Sequence, residues 1–420
     1  MKKIIFLTLV LLSSLSLSAQ DTTNVAESKV INKVSNILNS INGLKISGYI
    51  QAQWQLAEGE GQPGATQGST FPLKSNNIFS IRRARVKFDY TYGIAKGVFQ
   101  VDVTEKGVKL KDAYVALQSK NKIVGATAGV FDRPFGYEIS YSSSLRETPE
   151  RSRFYQILMP DERDMGVKTT FQGKEKTFLG NFNLNAGVFS GNAVNAETDS
   201  RKDIIAHIAY KNNNKNISYG AGASLYIGGV LNTQNIGYDF DKKTKKFIEK
   251  NDVIDQYSKR NYYGFDAQFS AKTTYGLTTL RAEYVWGQQP GRQLYSDSPK
   301  SLATEPIYNR RFRGYSIYLI QQVMQYPVSV VLRLDSFDPN SQIKGNDIGV
   351  RNSNTGAGDI TFTTLATGLV YQINKAFKLM ACYETVWNET SSNLYSTEKY
   401  KNFASQIADN LLTIRAQVKF

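Results

Sequence analysis

Residues 79–93 alternate strictly. Ala84, Val86, Phe88, Tyr90 and Tyr92 fall on one side, and Arg83, Arg85, Lys87, Asp89 and Thr91 on the other. Alternation of this length predicts a β-strand whose two faces meet different surroundings. A soluble sheet would turn its charged face to bulk water. Here the apolar face ends in two tyrosines and the pattern recurs to the last residue. That predicts a membrane-barrel strand with its cations in the lumen.

The same period runs from residue 45 onward. Ile46, Gly48, Ile50, Ala52 and Trp54 alternate with Lys45, Ser47, Tyr49, Gln51 and Gln53. Later apolar files include Phe99-Val101-Val103, Phe182-Leu184-Ala186-Val188, Tyr263-Phe265-Ala267-Phe269 and Leu280-Ala282-Tyr284-Trp286. The last, Leu412-Ile414-Ala416-Val418-Phe420, ends on an aromatic C-terminal residue. Connections alternate between short turns and long stretches rich in Gly, Asn, Ser and Asp, such as residues 57–77, 132–163, 228–259, 288–310, 336–358 and 388–409. One outer connection, at residues 105–109, is short and breaks the rule. Short periplasmic turns facing long outer loops characterise outer-membrane barrels. At roughly 25 residues per strand and connection, the chain holds about sixteen strands.

The start of the chain differs. Residues 1–19 read as an export signal, with Lys2 and Lys3, an apolar run from Ile4 to Leu12, and a small-residue end at Ser18-Ala19. That run is too short to span a bilayer as a helix. Residues 20–43 form a periplasmic leader in which Val30, Val34, Ile37 and Ile41 have helical spacing, consistent with a short amphipathic helix. The expected fold is therefore all-β: a transmembrane antiparallel barrel over residues 44–420, after a helical leader.

Composition narrows the chemistry. The formal net charge is +15, falling to +13 once Lys2 and Lys3 leave with the signal. In an exported chain with scattered Lys and Arg this does not point to nucleic acid. The single cysteine, Cys382, excludes an internal disulfide framework and a cysteine-based metal site. The one histidine, His207, shares its face with Asp203 and Ile205 and reads as a wall residue. No Gly-rich phosphate loop, Ser-centred elbow or metal-ligand cluster is present, so neither catalytic residues nor cofactors are assigned.

Short motifs along the chain resemble one family. GYIQAQ at 48–53, RRARVKFDY at 82–90, GVFDRPFG at 129–136, Glu150-Arg151-Ser152, Arg163-Asp164-Met165-Gly166 and RLDSFDPN at 333–340 look like the phosphate-selective porins O and P, closest to those of the Bacteroidetes. The resemblance implies a sixteen-stranded homotrimeric barrel in outer-membrane lipid, passing anions such as inorganic phosphate. A terminal Phe420 resembles the signal read by the barrel-assembly machinery.

Selectivity should come from whatever narrows the lumen, because sixteen strands leave it water-filled. The best candidate is the 132–163 connection, expected to fold inward. It holds Arg133, Arg146, Arg151, Arg153 and Arg163, with Tyr137, Tyr141, Phe154 and Tyr155 to pack it. Guanidinium groups suit oxyanions because they offer several donors in a planar fork. On the wall, Arg83, Arg85 and Lys87 span roughly 14 Å at strand spacing, close enough for their fields to overlap in physiological salt. Arg281, Arg333 and Arg415 are further pore-lining candidates, the first two with Glu283 and Asp335 as expected local counter-charges. Two functions stay open: an anion-preferring diffusion channel, or a barrel for surface display or adhesion with an occluded lumen.

Overall fold

A computed structural model describes residues 43–61, 71–174, 176–397 and 402–420. The chain divides into two units, Met1–Lys45 and Ile46–Phe420. The export signal and the expected helix around Val30, Val34, Ile37 and Ile41 lie outside the described residues. The second unit holds the strands.

That unit is a closed antiparallel barrel. The first half of its wall is β1 (Leu44–Ala57), β2 (Asn77–Tyr92), β3 (Ala95–Thr104), β4 (Gly107–Gln118), β5 (Val124–Asp132), β6 (Arg163–Gln172), β7 (Phe182–Phe189), β8 (Asp203–Asn213) and β9 (Ile217–Leu231). A short hairpin, β10 (Gly237–Asp241) and β11 (Lys246–Lys250), lies outside the wall within the 228–259 connection. The wall resumes with β12 (Tyr257–Thr273), β13 (Gly276–Gly291), β14 (Tyr308–Gln322), β15 (Val328–Asp338), β16 (Phe362–Gln372), β17 (Phe377–Asn388) and β18 (Leu411–Lys419). Sixteen strands thus form the wall, as the periodicity predicts. Each pairs with its sequence neighbour, β9 pairs with β12, and β18 returns to β1. Two short helices, α1 (Gly136–Ser140) and α2 (Arg153–Leu158), sit in the connection between β5 and β6.

The alternation maps onto the wall as expected. On β2, Phe88, Tyr90 and Tyr92 face outward and exposed, while Arg83 is 2 % exposed inside. Phe88 sits directly across from Phe99 on β3. Outward aromatics gather on β12 and β13, where Tyr263, Phe265 and Tyr284 surround Trp286 with ring centroids 5.5–5.8 Å apart. Such residues anchor a barrel at the lipid–water boundary.

The ladder register shifts between Gln100 and Val101. Gln100 pairs with Asp112 but Val101 pairs with Leu110, leaving Lys111 as an extra residue in β4. This β-bulge re-aims the chain. Below it Ala113, Val115 and Leu117 face outward; above it Val108 and Leu110 do, so Lys109 and Lys111 turn into the lumen.

The seam is closed to the last residue. Gly48 and Phe420 exchange both backbone hydrogen bonds at 3.0 Å. A side chain at Gly48 would meet the Phe420 ring at 2.5 Å and overlap the Arg85 carbonyl. On the lumen side, Gln51 donates to Gln417 at 2.7 Å and Arg415 to Gln53 at 3.0 Å.

Val86→Arg, on the lipid face, should cost about 2–4 kcal/mol near mid-bilayer, whereas Lys87→Gln beside it should stay within about 0.5 kcal/mol; denaturant unfolding in lipid vesicles measures both. Gly48→Val and Phe420→Asp should each reduce the yield of heat-modifiable, inserted barrel well below that of a substitution in the 228–259 loop.

Candidate permeation site

The connection between β5 and β6 enters the lumen. Its ends remain in the wall as the register pair Asp132 and Arg163, and residues 133–162 cross the interior. One side of this loop is apolar. Phe135, Ile139, Phe154, Tyr155, Leu158 and Met159 pack with Phe189, Ile205, Tyr226, Tyr262, Val285, Phe312 and Phe337 of the wall. Each such side chain contributes about 1.5–3 kcal/mol on burial. These wall residues lie on the lumen face, where water would otherwise touch them. The loop therefore covers an apolar half of the interior.

Polar contacts fix its register. Glu283 accepts from the backbone N–H groups of Tyr137 and Glu138, at 3.0 and 2.8 Å, and from the Tyr155 hydroxyl. Glu138 accepts from the Tyr318 hydroxyl and the Ser152 N–H. Gly136 has φ +63°, and a Cβ there would overlap the Tyr155 hydroxyl, so the turn into α1 requires glycine.

The opposite side of the loop is charged. Glu150 is the hub, taking Arg82 at 2.8 Å, Arg83 at 2.7 Å and Arg415 at 3.0 Å. Arg333 donates to the Glu150 carbonyl at 2.8 Å and pairs with Asp335 and Glu384 at 2.8 and 2.7 Å. Lys378 donates to the carbonyls of Ser144 and Arg146, both at 3.0 Å. Burial pushes the Glu150 carboxyl up, but Arg82, Arg83 and Arg415 outweigh it and hold the group well below the usual carboxylate range.

The candidate cations are thus distributed unevenly. Arg83 and Arg415 meet at Glu150, and Arg333 braces the same turn. Arg85 pairs with Asp102 at 2.9 Å and Lys87 with Asp89 at 3.5 Å. The β2 file therefore carries counter-charges, two of them from β3 and the loop, that its own sequence does not place beside it. Arg281 pairs with Glu147 of the loop at 2.9 Å rather than with Glu283, which is engaged by α1. Its guanidinium also lies 4.4 Å from the Tyr141 ring. Arg151 bonds Glu162 and the carbonyls of Glu138 and Ile139, bracing the loop internally. Arg133 pairs with Asp164, and Arg153 stacks on Phe362 at 4.3 Å; both stand apart from the hub. His207 lies on the wall with Nε2 2.9 Å from Asp266.

Open space lies on both sides of the loop. A cavity of about 290 Å³ at the outer side is lined by Arg82, Arg83, Arg85, Lys106, Lys109, Lys111, Arg146 and Arg151, against Asp102, Glu105, Glu150, Asp161 and Glu162. Toward the periplasmic turns lie a cavity of about 520 Å³, with Lys211, Arg281 and Lys378, and one of about 1130 Å³, with Lys87, Lys96, Lys168 and His207. A water-sized space of about 10 Å³, bounded by Arg146, Tyr141, Glu147 and Arg281, sits between the outer cavity and the first of these. Arg146 lines both it and the outer cavity.

Part of this site is readable in the sequence. Lys378 precedes the outward Leu379, so alternation already puts it inside. Lys109 and Lys111 are misplaced by alternation because of the bulge. The apolar lumen half has a signal: in Tyr226, Tyr262 and Val285 the nominally polar face turns apolar beside an apolar outward neighbour. Glu150 enters the sequence reading only through the Glu150-Arg151-Ser152 motif, which does not assign it to the wall cations.

A sixteen-stranded barrel with a wall-to-wall inward loop is the architecture of an outer-membrane porin. The chain belongs to the phosphate-selective porin O and P family, whose sequence profile matches residues 73–304. Among solved structures, Vibrio cholerae OmpT in its trimer form gives a TM-score of 0.52 at 11% identity, over 90% of this chain and 99% of that one. The channel DcaP of Acinetobacter baumannii gives 0.52 at 13%, over 90% and 97%, and Pseudomonas putida OprB gives 0.54 at 7%, over 92% and 96%. At such identities the likeness carries the fold alone. No curated protein matches the chain by sequence.

Glu150→Gln leaves the buried Arg83 and Arg415 and the half-buried Arg82 short of their counter-charge, and should destabilise the loop by about 3–5 kcal/mol, read as faster proteolysis or hydrogen exchange within residues 140–160. A carboxylate whose pKa folding lowers stabilises the folded state above its ordinary value near 4.3 and loses that contribution only as pH falls through the lowered value. The wild-type loop should therefore stay protected down through pH 4.3 and open only in stronger acid.

Proposed function

We propose that this porin is a diffusion channel preferring anions, with small oxyanions such as inorganic phosphate as its cargo. The observation that carries the reading is the lining of the outer cavity, where eight Lys and Arg side chains face five Asp and Glu. They lie on the outer side of the inward loop, so an ion entering from outside meets their summed field first. Spacings within this group are comparable to the Debye length of about 8 Å at physiological ionic strength, so the excess is only partly screened. Rings of Arg or Lys favour anions in pores. Beyond the loop, Arg281, Lys378 and Lys211 line the cavity toward the periplasmic turns, together with Glu147.

The same proposal includes export by the 1–19 signal, assembly through Phe420 and a homotrimer in outer-membrane lipid. Support for the trimer is the family and the trimer form of the Vibrio OmpT. Surface display with a sealed lumen is the competing reading, favoured by how fully residues 133–162 fill the apolar half.

Planar-bilayer recording separates the two. An open current whose zero-current potential in a KCl gradient reports anion preference is expected; absence of any conductance would favour display. Lys106→Glu with Lys109→Glu changes the outer charge by four units at exposed positions and should shift that potential toward cations. An unchanged potential would move selectivity away from the outer cavity.

A further inference from the structure

The outward face of β14 changes character within a few residues. Leu319, Ile317 and Tyr315 face the lipid, and above them Arg313 and Arg311 continue the same exposed file. In the ladder Arg313 sits across from Trp286, and Arg311 across from Gln288, whose other neighbour is Asn261 on β12. One outward position further up β12, Lys259 is also exposed. Trp286 belongs to the aromatic cluster at the lipid–water boundary. The three cations therefore stand just above that boundary, where the strands run into long outer loops. Arg311 and Arg313 are about 6.8 Å apart along the strand, and Lys259 lies two strands, about 10 Å, to the side.

Local partners do not account for these charges. Arg313 pairs with Asp338 at 3.1 Å, yet its side chain stays 47 % exposed. The side chains of Arg311 and Lys259 make no hydrogen bond or ion pair among the described residues. The backbone that presents Arg311 is fixed, because its carbonyl accepts from the Ser341 N–H at 2.7 Å and hydroxyl at 3.0 Å. Beyond the cations lies a cleft of about 290 Å³, bordered by Tyr257, Lys259, Gln288 and Asn309 of the wall and by Asp239 and Lys250 of the outer hairpin. Asn309 donates to Asp239 at 2.9 Å, and its own Oδ1 is buried without a partner. Side-chain amides and a carboxylate suit sugar hydroxyls, which both donate and accept.

We propose that this outward face binds the head group of a phosphorylated glycolipid of the outer leaflet. Its phosphate sits on Arg311, Arg313 and Lys259, and its sugar in the cleft. A guanidinium fork engages two phosphate oxygens at once, and lysine adds a point charge. Basic clusters at a bilayer surface recognise anionic head groups in this way. The acyl chains lie over Tyr315, Ile317 and Leu319, so the apolar file below the cations completes the fit. A free anion would satisfy the cations but leave that file and the cleft unused. The site is on the outside of the barrel, and it stands whether or not the lumen prefers anions.

The test titrates the full mature protein in detergent with an acylated diglucosamine bisphosphate (lipid A), its dephosphorylated analogue and phosphatidylglycerol, and counts bound lipid by native mass spectrometry. The bisphosphate should bind saturably and about tenfold or more tighter than the other two. Inorganic phosphate should not displace it; displacement would give the cations to a free anion and overturn the lipid site. Arg311→Gln with Lys259→Gln should weaken binding about tenfold, with conductance and zero-current potential unchanged because neither side chain faces the lumen. Arg313 is kept in this variant because it pairs with Asp338. A matched loss of charge, Lys242→Gln with Lys243→Gln at the tip of the outer hairpin, should leave binding as it was. An equal loss there would reduce the site to diffuse attraction and overturn it. Undiminished binding in the first variant, or equal wild-type binding of either comparison lipid, overturns it too. The wild-type comparison needs no variant and decides the matter if the variant fails to insert. A wild type that holds none of the three lipids, as when another copy covers this face, likewise overturns the proposal.

Discussion

Hydrocarbon leaves no water to satisfy a backbone N–H or C=O, so a sheet that spans a bilayer has to close on itself. Every other feature of this chain depends on that closure. The seam pairs β18 with β1 and extends to Phe420, where the aromatic ring lies over a glycine that has no side chain to displace it. Once the wall is closed, its two faces belong to different solvents. Period-2 alternation then becomes a map of lipid and lumen.

Within the lumen, charge and apolar surface are segregated. The loop of residues 133–162 presses its phenylalanines and tyrosines against β8, β9 and β12–β15, and turns its charged edge to β1, β2, β17 and β18. What remains open is therefore lined on one side by arginine and lysine. The selectivity proposed for such a passage rests on a surplus of charge rather than on any one of these cations, since Arg83, Arg85, Arg281, Arg333 and Arg415 all have acidic partners.

The wall is legible in the sequence because alternation is local: each residue's face follows from its neighbour's. Arg83, Arg85 and Arg415 turn inward as that pattern requires. The pairing of those cations is not legible. Glu150 lies 67 residues from Arg83 and 265 from Arg415 in the chain, and contacts at such separations depend on how the loop lies. For the same reason Glu283, two positions from Arg281 on one face, caps α1 instead of neutralising that arginine. The bulge at Lys111 is hidden too, since a single inserted residue leaves the hydrophobic files on either side looking regular.

The ends of the inward loop, Asp132 and Arg163, are ladder partners in the wall. For the barrel, the whole of residues 133–162 is equivalent to a hairpin connection, and its length is invisible to the strands that carry it. The loop is in this sense an interchangeable cartridge. Variation confined to it can alter what passes through the membrane while the lipid-facing surface, the shear of the barrel and its route of assembly stay as they are. The constraint on such exchange is local and modest: a new insert has to cover the exposed tyrosines and phenylalanines of one half-wall and present an acid to the arginines of the other.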